Sequence, residues 1–264
     1  LLAALDRYPY GCLEQSISST MPLVYLDEVD TLWGGGNIDR ATLPGRIATG
    51  IARIEAKMTS YGGFGLWSSS DAVEPWLTAY AYDFLDRARS RGHRVSDEVM
   101  ERSGEWLRRY LMQDSAADHV SAKAYALMVL TRSGVLGASE ARYWAERLAP
   151  NAKRLLALAQ IEATLAHSGD APAAPALASL TAGESAKGAP PTPAVFYGSY
   201  GSPLRDIAAA LATVGPGGLE PRLWNKGVEI LEREYEASYY TSTQEKVWLL
   251  LAARTMLQNT GDGM

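Results

Sequence analysis

Cysteine is nearly absent: the 264 residues hold one, Cys12. A disulfide within the chain is therefore excluded. That suits a reducing compartment or an exported protein that avoids competing thiols. Histidine is scarce too, with only His93, His119 and His167, and no Cys/His/Asp spacing suggests a metal site; no cofactor is implied. There is no dense Lys/Arg run and the net charge is −5, which together argue against nucleic acid as a partner. No apolar stretch approaches the ~18 residues that span a bilayer; the longest, Val247 to Ala253, is far too short. The sequence opens on Leu1 with no basic segment ahead of an apolar one. No signal peptide is expected within it, and the chain reads as a single domain, 1–264, cut from something larger.

Hydrophobic residues at 47% and charged residues at 21% are ordinary for a globular domain with a sizeable core. Apolar residues recur at three- and four-residue spacing almost throughout, which predicts helices. The expected spans are 16–29, 39–59, 75–91, 97–112, 120–133, 151–168, 172–180, 202–214, 220–235 and 242–257. Glycine- and serine-rich turns separate them, and Ser96 and Ser121 are expected to cap the helices that follow. A loose repeat aligns Trp76-Leu77-Thr78-Ala79-Tyr80-Ala81 with Ser121-Ala122-Lys123-Ala124-Tyr125-Ala126. Small residues on one face of alternate helices suit an inner ring of tightly packed helices with others outside, an all-α, α/α toroid. The exception is 182–200, rich in Gly, Pro and Ser, which reads as a loop with room for a short strand or hairpin near Phe196–Tyr200.

The lone cysteine sits in Tyr8-Pro9-Tyr10-Gly11-Cys12-Leu13-Glu14-Gln15. A thiol and a carboxamide three residues apart share one face of a turn or first helical turn. If the Cys12 sulfur displaces ammonia from the Gln15 side chain, the product is an intrachain thioester, an acyl group ready for transfer to an amine, a hydroxyl or water. Cys-x-Glu-Gln should arise by chance in well under ~1% of chains this long. That outweighs the ordinary reading of a lone cysteine as a small buried hydrophobe.

The segment resembles the thioester motif of the alpha-2-macroglobulin and complement family, and most of all its bacterial branch, where Leu commonly stands at the position of Leu13. Further blocks similar to that family's thioester domain are Tyr61–Trp67 with Glu74–Tyr80, Tyr197–Asp206, and Ser242-Thr243-Gln244-Glu245. The resemblance implies a toroid of six inner and six outer helices. It implies a thioester between Cys12 and Gln15 that acylates lysine amines of an attacking protease once a bait region elsewhere is cut. Such a domain acts once and is not an enzyme. Its partners would be target proteases and the other domains of its parent, and its location a bacterial periplasm, with a role in defence.

The resemblance also matches Tyr8 to an aromatic residue that shields the thioester in bacterial members. Tyr10 is another nearby bulky side chain, and reads as packing. Glu14 lies outside the bond; it orients the turn or stands as a solvated carboxylate. Trp67 is a wall for the thioester or, more simply, core. In some complement proteins a histidine assists transfer to hydroxyls; only His119, at the start of an inner-type helix, is a candidate general base here. Other classes stay open on sequence: a glycosidase with two carboxylates in a cleft, a hydrolase pairing Cys12 with His119, or a non-reactive interaction module.

Overall fold

A computed structural model describes residues 11–29, 40–113, 119–169, 200–215 and 221–261. The expected helix at 172–180 and the loop at 182–199 lie outside the described residues, as do Tyr8 and Tyr10. Contacts divide the chain into two compact units, 1–113 and 114–264.

The first unit holds α1 (Leu13–Val24), α2 (Leu26–Val29), α3 (Leu43–Glu55), α4 (Pro75–Ser90) and α5 (Asp97–Met112). Helix α1 packs on α3 and α4, and α4 on α5. The second unit holds α6 (Val120–Arg132), α7 (Ala138–Leu148), a 3-10 turn (Ala149–Asn151), α8 (Leu155–His167), α9 (Pro203–Val214), α10 (Pro221–Glu236) and α11 (Thr243–Gly261). There α8 packs on α6, α7 and α9, and α9 also on α10 and α11. Among the described residues no strand forms, and none of the helices is long and apolar enough to cross a membrane.

Two kinds of helix alternate. In α4 every residue from Trp76 to Leu85 is buried, in α6 every residue from Ala122 to Leu130, and in α9 every residue from Leu204 to Leu211. A helix buried all round is enclosed by others. By contrast α3 buries Ile47, Ile51 and Ile54, α7 buries Ala141, Ala145 and Leu148, and α10 buries Gly227, Ile230 and Leu231. Those are single stripes at helical spacing, with the other face in solvent. Alanines let enclosed helices approach closely: Ala159 of α8 and Ala210 of α9 share a small apolar cluster with Leu155, Leu158 and Val214. The repeated blocks at 76–81 and 121–126 both fall on enclosed helices, as an inner position requires.

Four local expectations need correction. Helix α7 is additional; its buried stripe is mostly alanine, too weakly apolar to register as a period. Helix α1 begins at Leu13 rather than Ser16, because Cys12 itself caps it. Ser96 caps α5 as expected, through the Val99 amide, but α6 is entered at His119, and Ser121 lies inside it. The stretch 151–154 precedes α8 instead of joining it.

Candidate functional site

The site is the first turn of α1. Cys12 has extended backbone angles and stands at the N-cap, the position whose side chain accepts from a free amide of the first turn. Its Sγ accepts the Gln15 amide at 3.4 Å. Its carbonyl takes the Ser16 amide at 2.9 Å and the Ser16 hydroxyl at 2.8 Å. The cap thus brings the sulfur and the Gln15 residue together on one turn. Cys12 is buried and Gln15 half-buried. The Gln15 Oε1 atom is buried and meets no hydrogen-bond donor among the described residues. Burial, above all, pushes the Cys12 thiol up; the Glu14 carboxylate adds to this, while the Gln15 amide and the Lys57 charge work against it.

Glu14 is buried, not solvated. The Ser18 hydroxyl donates to its Oε1 at 2.7 Å, and the same hydroxyl lies 3.1 Å from the Tyr80 hydroxyl on α4. A buried carboxylate needs such partners to remain in place. This chain of contacts ties the turn to α4.

A glycine-rich loop also holds the turn. The Leu13 amide, one of the free amides of the first turn, donates to the Leu66 carbonyl at 2.7 Å. That loop is tightly set. Gly62 has φ +95°, and a Cβ there would sit 2.6 Å from the Arg102 carbonyl oxygen; a Cβ on Gly65 would sit 2.2 Å from the Ser68 carbonyl oxygen. Two isolated bridges, Met58 with Phe64 and Gly65 with Val73, hold its sides together. Phe64 is fully buried, and its amide donates to the Thr78 hydroxyl of α4 at 3.0 Å. Asp71 accepts the Trp67 amide at 2.6 Å and the Ser68 amide at 2.9 Å, which holds its carboxyl below the usual carboxylate range. Trp67, expected in the core, is 58% exposed. Phe64 takes the core position, and Trp67 presents its ring at the surface of the loop that holds the turn.

Cys12, Glu14 and Gln15 are therefore brought together. His119 belongs to the other unit, exposed at the start of α6. Sequence reasoning missed Ser18 and Lys57, whose Nζ donates to the Trp67 carbonyl at 2.7 Å. A lysine just past a helix end reads as solvated, so no signal marked it.

The family described as the A-macroglobulin TED domain matches residues 2–121. Alpha-2-macroglobulin of Escherichia coli strain K12 is 34% identical over 96% of this chain and 16% of that protein. Among solved structures, Salmonella alpha-2-macroglobulin reacted with methylamine aligns with a TM-score of 0.80 at 33% identity, over 96% of this chain and 17% of that one. Escherichia coli alpha-2-macroglobulin activated by porcine elastase aligns with a TM-score of 0.76 at 31% identity, over 94% of this chain and 23% of that one. The chain spans about a sixth of the curated relative. The matched regions are α/α toroids, the fold class expected from the alternating helices. The motif, the turn that presents it and the fold agree: the chain belongs to the alpha-2-macroglobulin family, as a thioester domain of bacterial type.

Proposed function

We propose that Cys12 and Gln15 form an intrachain thioester and that this chain captures proteases covalently. Thiol attack on the Gln15 side-chain carbon expels ammonia and leaves the acyl group on sulfur. After a bait segment of the parent is cut, a lysine amine of the attacking protease displaces the sulfur and becomes an amide of Gln15. The acyl group is spent in that one event, so the domain inhibits and does not turn over. The observation that carries this reading is the cap of α1, which sets the sulfur on the turn that bears Gln15, 3.4 Å from the Gln15 backbone nitrogen.

Water must be kept out until capture. Tyr8 is the proposed shield, by resemblance, and exposed Trp67 offers a wall to a covering domain of the parent. Amines are the expected acceptors, with His119 as the one candidate to assist hydroxyls. A periplasmic location is proposed on the likeness to Escherichia coli and Salmonella proteins alone. Intact mass after non-denaturing preparation tests the reading: a deficit of about 17 Da from the sequence mass, lost on methylamine treatment with gain of an alkylatable thiol, is expected. An undiminished mass with Cys12 already alkylatable would leave the chain as a non-reactive scaffold.

A further inference from the structure

One stretch of loop, Gly65 to Trp67, holds two groups at once. The Leu66 carbonyl takes the Leu13 amide, next to Cys12, at 2.7 Å. On either side of it, the Gly65 amide donates to the Lys57 carbonyl at 3.1 Å and the Trp67 carbonyl accepts from Lys57 Nζ at 2.7 Å. Lys57, just past the end of α3, is thus fixed by backbone and side chain to the residues that fix the thioester turn. Two charges bear on the Cys12 thiol beside the larger effect of burial: the Glu14 carboxylate of its own helix raises it, and the Lys57 ammonium, just past the end of α3, lowers it. The carboxylate is engaged by Ser18, which leaves the ammonium as the group suited to a developing negative charge on sulfur.

We propose that Lys57 is the electrostatic partner of the Cys12 sulfur in acyl transfer, its ammonium, held by the Trp67 carbonyl, stabilising the thiolate as it leaves Gln15. The inference rests on the thioester reading. An incoming amine forms a C–N bond to the Gln15 acyl carbon and the C–S bond breaks, its electrons going to sulfur. The amine gives up one proton and sulfur ends with one, through solvent. Lys57 loses no proton; its charge favours the departing thiolate in a partly buried site where a thiolate is otherwise costly.

The test compares the full chain with Lys57→Gln and Lys57→Arg, using methylamine as the probe. Two quantities are read: the rate of methylamine incorporation by intact mass, and the pH midpoint of Cys12 alkylation in the opened chain. Lys57→Gln should slow incorporation about threefold and move the alkylation midpoint up by about half a unit. Lys57→Arg should keep both near the parent values, and added salt should narrow the difference between Gln and Arg variants. If Gln and Arg variants behave alike, whether both like the parent or both impaired, the electrostatic role is overturned; in the second case Lys57 only braces the loop. A chain with no mass deficit would fail the thioester reading separately, because alkylation still reports whether Lys57 acts on the sulfur.

Discussion

Two helices in this chain begin in opposite ways. At α9, the Ser202 hydroxyl accepts the Arg205 amide at 3.1 Å and also donates to Glu245, whose other oxygen takes the Ser242 amide. The Arg205 guanidinium folds back over Gly201, where a Cβ would sit 1.8 Å from its nitrogen, and donates to Asp206 at 2.7 Å and to Gln244 at 3.2 Å. The blocks at 200–206 and 242–245, separate in sequence, thereby close into one buried network. At α1 the cap is a sulfur at 3.4 Å, a weak acceptor, and the neighbouring Gln15 Oε1 meets no donor among the described residues. The first start is built from charged and polar partners, with Gln244 Nε2 left over among the described residues; the second uses a weak cap on the turn that carries Gln15, as the proposed thioester requires, a departure from local rules of the kind that marks functional sites.

Breaking the first start should cost most. Arg205→Ala strands the buried Asp206, whose carboxyl burial already pushes up against the pull of Arg205. A loss of roughly 3–5 kcal/mol in a urea melt is expected; a loss below about 1 kcal/mol would show that the network contributes little. Gly65→Ala comes next. A Cβ there meets the Ser68 carbonyl at 2.2 Å, so the loop must move and release Leu13. A cost of roughly 2–3 kcal/mol, with faster Cys12 alkylation, is the expected result; unchanged alkylation would mean that the loop does not hold the turn. The smallest change is the most pointed. Cys12→Ser installs at α1 the cap that α9 already has. Against the methylamine-opened parent it should gain about 0.5–1 kcal/mol while taking up no methylamine. A loss of stability would remove the contrast between the two starts.

The Cys12 to Gln15 spacing was legible because it is local: the two residues share one helical turn whatever the rest of the chain does. The toroid was legible because enclosed and half-exposed helices leave different patterns along the chain. Features that depend on distant residues were not. Glu14 is buried because Ser18 and Tyr80 receive it, and Tyr80 lies 62 residues beyond Ser18. Trp67 and Phe64 are both aromatic, and only the packing of the loop on α4 decides that Phe64 goes inside. Helix α7 stayed hidden because alanine fills its buried stripe, and Lys57 because its partner is a backbone carbonyl, which no side-chain pattern betrays.

The central claim is that Cys12 and Gln15 share a reactive bond, and intact mass with and without methylamine tests it most directly. The account predicts a chain about 17 Da light that gains about 31 Da from methylamine and exposes one thiol. A chain at full sequence mass, with Cys12 free from the outset and no methylamine uptake, would contradict it.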